Sequence, residues 1–224
     1  MKFGSYSNLK KLQSGKLYAK KLQYYVDLEK ETGSTDKGDM FESKQIIYNA
    51  KICLKDLHTS KTFETRADHI EIDYGYTEYP VFCMFLLDER NYIRGSNSIY
   101  RYRFSSEQKD KMKNFGDSVL IIHDNDKFFN KVYNAAIRER IDFKRGLVKY
   151  YNIANDDNYL IDTTNDRLMA AYWKRNIYSY QQEYRFLFKK SVEDHLEIDI
   201  GNISDISCIL NSNQVLKSEI ELII

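Results

Sequence analysis

Residues 178–188, YSYQQEYRFLF, begin as a polar aromatic loop and end as a strand, and the interpretation of the whole chain depends on them. Side chains two positions apart on a strand point to the same face of the sheet. One face therefore carries three polar or ionisable side chains: Gln181, Glu183 and Arg185. The opposite face carries Gln182, Tyr184 and Phe186. The stretch predicts a strand with one ionisable face, which is either solvated surface or the wall of a site.

The composition is that of a globular protein with a sizeable core. The chain has 224 residues, of which 42% are hydrophobic, and this length suits one large domain or two small ones. No internal repeat, low-complexity segment or proline-rich linker divides the sequence. We therefore predict a single domain over residues 1–224.

The charges nearly cancel, since 34 basic and 33 acidic residues leave a net charge of +1. The overall charge therefore does not indicate nucleic acid, a membrane surface or an acidic substrate as a partner. The triplet Arg101-Tyr102-Arg103 could stack on a nucleic-acid strand, but solvated strand ends explain it more simply. The first residues lack the apolar run of a signal peptide, and no segment approaches the roughly 20 apolar residues of a membrane span. We expect a cytoplasmic protein whose oligomeric state the sequence leaves open.

The cysteines and histidines indicate neither a disulfide framework nor a metal site. Cys53, Cys83 and Cys208 lie far apart in apolar settings, as buried thiols of a reducing compartment do. The four histidines are equally scattered, and no two Cys or His residues have metal-ligand spacing. We expect all seven residues to be structural.

The pattern along the chain predicts an α+β fold with mixed or antiparallel sheets. A short strand opens the chain, and Ser7 is placed to cap a helix that ends at Gly15. Residues 33–43 read as an exposed, mobile loop, and residues 44–87 as a run of strands whose last member, VFCMFLL, is buried on both faces. Further helices are expected at SSEQKDKMKNF and DNDKFFNKVYNAAIRERI, in the middle of the chain, and around RLMAAYWKR.

Two motifs at opposite ends of the chain resemble the ADP-ribosyltransferase fold. The first is the strand Phe3-Gly4-Ser5 with its following helix, glycine and extended piece, and the second is the Gln-x-Glu motif Gln181-Gln182-Glu183. The first strand lacks the His or Arg that this fold usually presents, and no Ser-Thr-Ser-like motif is visible. The chain also resembles bacterial and phage proteins of unknown function with a GD-x-x-E element, here residues 38–42, and a late aromatic-Gln-x-Glu-aromatic-Arg strand.

The resemblance implies a fold with a nicotinamide adenine dinucleotide (NAD) site, and an enzyme that uses NAD as substrate, either an ADP-ribosyltransferase-like transferase or an NAD glycohydrolase. Glu183 would be the catalytic acid, because positive charge builds on the ribose as the nicotinamide bond breaks and a carboxylate stabilises that charge. Gln181 would orient the acceptor nucleophile. Candidate NAD contacts are Phe3, Gly4, Ser5, Tyr24, Tyr25, Trp173, Tyr180 and Arg185, with Lys174 as a second candidate for the pyrophosphate. No metal is implied.

Other interpretations of the same residues stay open. Glu183 and Arg185 could form an ion pair on a wet sheet face, and Asp39 and Glu42 could belong to a flexible solvated loop. The chain could be a non-catalytic phage or mobile-element protein that inhibits a host defence protein through a tyrosine-rich surface, or a nucleotide sensor that has lost turnover. The enzyme requires a cleft in which the edge of the Gly4 strand faces Glu183, and residues 33–43 are the candidate closing loop.

Overall fold

A computed structural model describes residues 1–87, 92–94, 99–152 and 162–223. The fold is mixed α and β, with antiparallel pairing in all sheets of the described residues except one parallel pair. The strands are β1 (Lys2–Gly4), β2 (Lys16–Lys21), β3 (Lys44–Lys55), β4 (Thr62–Asp73), β5 (Pro80–Phe85), β6 (Tyr92–Arg94), β7 (Ile99–Arg103), β8 (Ser118–Ile122), β9 (Phe143–Leu147), β10 (Lys149–Tyr151), β11 (Trp173–Arg175), β12 (Glu183–Phe188), β13 (His195–Asp199), β14 (Ser207–Asn211) and β15 (Glu219–Ile223). The helices are α1 (Tyr6–Gln13), α2 (Leu22–Thr32), α3 (Ser106–Met112), α4 (Asn125–Arg138) and α5 (Ser212–Lys217), with 3₁₀ turns at Tyr76–Glu78, Lys113–Phe115, Arg167–Tyr172 and Asn176–Gln181, and a helical turn at 162–165.

A five-stranded antiparallel sheet of order β13-β2-β5-β12-β9 forms the centre of the fold. Its middle strand β5 is the predicted VFCMF segment, and five of its six residues are buried. β12 lies beside it, with Glu183 opposite Phe85 and Arg185 opposite Cys83. The prediction of a central buried strand is confirmed.

The alternation along β12 divides the core into two layers. Phe186 and Phe188 pack into a large cluster that includes Phe128 of α4. Leu187 points to the opposite face and packs with Leu22 of α2. Glu183 and Arg185 share this second face, so their charges lie below α2 and the segment that follows it.

β1 belongs to a second, three-stranded sheet of order β1-β8-β14, which places β1 beside this face. β8 is almost wholly buried, as its apolar sequence predicted. Ser5 caps α1 by accepting a hydrogen bond from the Asn8 amide, whereas we predicted Ser7 as the cap. The serine two residues earlier is the one with extended backbone at the helix entrance, as an N-cap requires.

Two other predictions of local structure need correction. The predicted helix around RLMAAYWKR is a 3₁₀ turn, Arg167–Tyr172, that runs directly into strand β11. The strand of the opening stretch begins later than we predicted, because Asn176–Gln181 form a 3₁₀ turn and β12 begins at Glu183, so Gln181 is not a strand residue. Gln182, with φ of 40°, makes the left-handed turn between the two.

The cysteine prediction is wrong at two of three positions, because Cys53 and Cys208 are exposed and only Cys83 lies largely inside. Cys53 is on the outer part of β3, where residues 53–55 are all exposed. Cys208 is on β14, where the burial pattern exposes its face. In the part of the chain that the structure describes, no helix is long and apolar enough to cross a membrane.

Candidate functional site

A cavity of about 230 Å³ lies at the end of the central sheet where β1, α2 and the beginning of β12 meet. Its apolar wall consists of Phe3, Met84, Phe85, Met112 and Phe115. Tyr24 and Tyr25 of α2 form another side. The charged groups that reach it are Lys2, Lys37, Glu42, Lys174, Glu183 and Arg185, and Gln181 and the Cys83 thiol also line it. The cavity thus joins the two motifs that the sequence placed at opposite ends of the chain.

Glu183 is 8% exposed and lies between two cations. Its Oε1 accepts a hydrogen bond from Lys174 Nζ at 2.7 Å, and its Oε2 accepts one from Arg185 Nη2 at 2.9 Å. The ion pair between Glu183 and Arg185 that we considered exists, but it is buried in the wall of a cavity, and the prediction of a wet sheet face is wrong.

These contacts keep Glu183 ionised. Burial alone would raise the pKa of Glu183, but the charges of Lys174 and Arg185, with hydrogen bonds from Lys174 and the Cys83 thiol, lower the pKa far below the ordinary glutamate value. Burial and the Glu183 charge together raise the pKa of Cys83 to about 11. Cys83 is therefore a neutral thiol, which argues against a thiolate nucleophile at this site.

Glu42 is 0% exposed. Together with Lys174, Glu183 and Arg185 it forms a group of four buried charges, which we call the charge cluster. Its Oε1 accepts a hydrogen bond from Arg185 Nη1 at 2.6 Å, and its Oε2 lies 3.7 Å from Lys174 Nζ. Burial raises the pKa of Glu42 more than Arg185 and Lys174 lower it. Glu42 Oε2 and Arg185 Nε are buried and have no hydrogen-bond partner among the described residues.

Residues 36–43 are packed against the site, which corrects the prediction of an exposed loop there, whereas residues 33–35 are exposed as predicted. Asp39 is 1% exposed and accepts a hydrogen bond from Arg175 Nε at 3.0 Å. The same guanidinium donates to Glu29 of α2 through Nη2 at 2.5 Å. A solvated loop for Asp39 and Glu42 is therefore wrong, because buried arginines hold both carboxylates.

The segment requires glycine at position 38, and its residues Lys37 and Glu42 form part of the cavity wall. A Cβ added to Gly38 would lie 2.6 Å from the Glu29 amide nitrogen and from the Tyr25 carbonyl oxygen. Two residues earlier, the Asp36 carbonyl accepts hydrogen bonds from Tyr180 Oη at 2.6 Å and from Gln181 Nε2 at 3.0 Å. These contacts tie the segment to the turn before β12.

The structure brings most of the predicted site residues to the cavity. Those that line it are Phe3, Tyr24, Tyr25, Gln181, Glu183, Arg185 and Lys174. Gly4 and Ser5 lie outside the lining: a Cβ added to Gly4 would lie 3.4 Å from Leu9, and Ser5 caps α1. Of β1, the residues that face Glu183 across the cavity are thus Lys2 and Phe3.

The remaining two aromatic candidates lie beside the cavity. Trp173 packs edge-on against Tyr151 and donates from Nε1 to Asp162 at 3.1 Å. Tyr180 is covered by Lys111, whose Nζ lies 4.6 Å from the ring centroid. Neither ring lines the cavity, so a stacking role for either would need contact outside it.

Gln181 reaches the cavity, but its carboxamide is bound within the protein. Its Oε1 accepts a hydrogen bond from Lys174 Nζ at 2.9 Å while its Nε2 donates to the Asp36 carbonyl. In this arrangement Gln181 holds the Lys174 ammonium group and the segment that begins at Asp36 in place. Its role toward an acceptor nucleophile stays a prediction.

Sequence reasoning missed two lysines and a thiol in the cavity wall. Lys2 Nζ donates to the Cys83 carbonyl at 2.6 Å, and burial lowers the pKa of Lys2 although Glu183 opposes that shift. Lys37 Nζ lies 5.3 Å from the centre of the Phe115 ring. Lys2 alternates with Phe3 in a strand of three residues, and no spacing rule in the sequence marks either lysine as a site residue.

The lowered pKa of Glu183 predicts a loss of stability in acid. A carboxylate whose pKa is lower in the folded chain stabilises the fold above its unfolded value of 4.5, and that stabilisation is lost as the pH falls toward the folded value. We expect the free energy of unfolding of the wild type, relative to Glu183→Gln, to fall as the pH is lowered from 5 to 3. Urea unfolding across this range measures it, and a difference that does not change with pH would contradict the ion-paired state.

No group of three or more His, Cys, Asp or Glu side chains in the described residues could hold a metal ion. A scan against models of protein families, a search of curated proteins and a search of solved structures each found no match to this chain.

Proposed function

We propose that the chain binds NAD at this cavity and cleaves the bond between nicotinamide and ribose, as an ADP-ribosyltransferase-like enzyme or an NAD glycohydrolase. The observation that carries the proposal is the position of Glu183, whose ionised carboxylate lines the same cavity as Phe3 of β1 and the tyrosines of α2. Such a carboxylate is the group that the reaction requires.

Glu183 has capacity left for a substrate hydroxyl. A carboxylate offers about four lone-pair sites, and hydrogen bonds from Lys174, Arg185 and Cys83 use three of them. The fourth is available to a ribose hydroxyl, whose hydrogen bond would strengthen as positive charge builds on the sugar. The two cations reduce that stabilisation but keep the carboxylate ionised and fix its orientation.

The charges of the cavity favour a ligand with anionic groups. The carboxylates Glu42 and Glu183 are already paired with Lys174 and Arg185. Lys2 and Lys37, by contrast, have no ion pair with any described residue, so the cavity has an excess of positive charge. A phosphate at its mouth would neutralise that excess.

The size of the cavity limits how much of NAD it could enclose. Its 230 Å³ is below the roughly 300–1,000 Å³ of sites that bury a drug-sized ligand. We therefore assign the cavity to the nicotinamide and its ribose, between the rings of Tyr24, Tyr25 and Phe3. The adenosine half would lie outside, with the pyrophosphate near the two lysines.

The alternative function, inhibition of a host protein through a tyrosine-rich surface, is less well supported by the positions of the tyrosines. Many of the tyrosines belong to the core, including Tyr102, Tyr151, Tyr172, Tyr178 and Tyr180. The exposed tyrosines of the described residues are Tyr6, Tyr18, Tyr24 and Tyr133, on α1, β2, α2 and α4. The inhibition of a host defence protein remains a prediction from the sequence.

The test compares NAD binding by calorimetry with nicotinamide release for the wild type and Glu183→Gln. We expect NAD to bind both proteins and nicotinamide release to fall by a factor of about 10²–10³ in the variant, the usual cost of removing one group that stabilises a transition-state charge. Absence of NAD binding to the wild type would refute the proposal, whereas binding without release would leave a nucleotide sensor.

A matched control is needed because Glu183→Gln also leaves two buried cations without a partner. Glu29→Gln makes the same chemical change at a carboxylate that is 7% exposed and paired with Arg175, outside the cavity lining. Both variants should lose stability, but only Glu183→Gln should lose turnover. Equal loss of release in two folded variants would assign Glu183 a structural role.

A further inference from the structure

A β-hairpin that projects from the fold carries a second feature, independent of the cavity. β3 and β4 pair with each other along their full lengths and with no other strand of the described chain. From 51 to 66, every residue but Ile52 is exposed, and we call this part the arm. A two-stranded ribbon on its own is marginally stable in water, and three or more strands are usually needed.

One face of the arm is apolar, and no element of the described residues covers it. Leu54 lies opposite Phe63 in the register, and their exposed fractions are 59% and 63%. Ile52 lies opposite Thr65 on the same face. The outer edge of β4 is also open, because its backbone makes no ladder with a strand other than β3 in the residues described. Open edges beside apolar side chains are templates for pairing with another strand.

The charges on the other face indicate which strand would pair with that edge. Glu64 and Arg66 alternate with Thr65 and point to one face. If two copies of β4 align antiparallel with Thr65 opposite Thr65 of the partner subunit, Glu64 lies opposite Arg66 of the partner subunit. The two-fold symmetry creates this opposite-charge pair twice, and pairs directly opposite each other stabilise a sheet.

Arg66 lacks an opposite-charge partner in the described part of its own chain. In the register of the hairpin it lies directly opposite Lys51, a like charge. Lys51 forms its ion pair with Glu64 instead, at 3.0 Å, and Arg66 has no ion pair with any described residue. A carboxylate from outside would relieve this repulsion.

The edge of β3 does not offer the same complementarity. Its twelve residues include Lys44, Lys51 and Lys55 and no aspartate or glutamate. Two copies of β3 would therefore bring only like charges together, which blocks pairing at that edge. We propose that the chain self-associates through the outer edges of two β4 strands, centred on Thr65, to form a continuous four-stranded antiparallel sheet.

Pairing of the two β4 strands would also cover part of the apolar face of each arm. Phe63 lies opposite Ala67 of the partner subunit, so its ring covers a small side chain next to the Leu54 and Ile52 row. The interface consists of one strand edge from each copy and is smaller than the roughly 1,200–2,000 Å² of stable complexes, so we expect a weak, concentration-dependent dimer.

Sedimentation or light scattering over a concentration series tests the proposal with charge reversals. Glu64→Arg and Arg66→Glu each replace two attractive pairs with two repulsive ones, and each should weaken self-association by about tenfold or more. The double variant restores opposite charges in exchanged positions and should recover dimerisation. Recovery by the double variant is the outcome that specifies both the strand and the register.

Lys55→Glu is the matched control, since it reverses an exposed charge on the same face of the arm, but on β3. It should leave the dimerisation unchanged, and circular dichroism should show that all variants are folded. A wild type that stays monomeric at all concentrations would refute the proposal and leave the arm to another kind of partner. Single reversals that dimerise like the wild type, or an equal effect of Lys55→Glu, would also refute the β4 register.

Discussion

Replacement of Arg185 by alanine is expected to lower the free energy of unfolding by about 3–5 kcal/mol, the usual cost of removing one partner from a buried ion pair. Arg185 is 1% exposed and bonds to Glu42, Glu183 and the Ala171 carbonyl. Its loss leaves one carboxylate without its closest cation and the other with Lys174 alone. Since domains of this size are stable by about 5–15 kcal/mol, this loss is a large fraction of the total stability.

Urea unfolding at neutral pH measures this loss, with Arg101→Ala as the matched control. The Arg101 side chain is 43% exposed and pairs with Glu219 and Glu221 on the surface. Exposed pairs contribute about 0–1 kcal/mol, so the control should unfold close to the wild type. A similarly small effect at Arg185 would mean that water reaches the charge cluster and that the cavity is more open than the structure shows.

Local sequence patterns were sufficient to predict the strands and helices that pack through apolar side chains. The period of two in β12 and the unbroken apolar run of β5 specified a strand with one charged face beside a strand buried on both. The helix expected at SSEQKDKMKNF forms as α3, and Ser105 caps it in a capping box with Gln108. α4 is the predicted long amphipathic helix. Each of these signals depends on residues within a few positions of one another.

The burial of the charged segment could not be predicted in the same way. Glu42 and Arg185 are separated by 143 positions, and Asp39 and Arg175 by 136. Neither residue of a pair indicates by itself that it has a partner, and a glycine-rich, polar segment is ordinarily a solvated loop. The late motif and the Gly38 element were both visible in the sequence, but only the fold shows that they bind each other through buried ion pairs.

The burial of Cys53 on the arm was predicted wrongly for a similar reason, because burial depends on parts of the chain that are distant in sequence. Cys53 lies in the segment KICLK, whose β-branched and apolar residues favour a buried strand. β3 is indeed a strand, but its outer part extends beyond the layers that would cover it. Propensity therefore predicted the conformation correctly, while burial depends on which elements pack above the strand.

Gly116→Ala is expected to cost about 3 kcal/mol or more, because two penalties combine at one position. Gly116 has φ of 150°, in a region that residues with a side chain rarely adopt, and an added Cβ would lie 2.2 Å from the Gly4 carbonyl carbon. Backbone strain of this kind costs about 1–3 kcal/mol and overpacking a similar amount. Because the obstructing atom belongs to backbone, relief requires β1 to move.

Movement of β1 has a consequence that separates this variant from a simple loss of stability. β1 carries Lys2 and Phe3 to the cavity, so a folded Gly116→Ala protein should bind NAD more weakly than the wild type under conditions where both are native. Gly33→Ala is the control: its φ is 64° but no atom lies within 4 Å of the added Cβ, so only the left-handed backbone costs about 1–2 kcal/mol. Urea unfolding and calorimetry on the two variants distinguish the effects. If Gly116→Ala loses stability but keeps full NAD affinity, β1 is support for the fold and not a wall of the binding site.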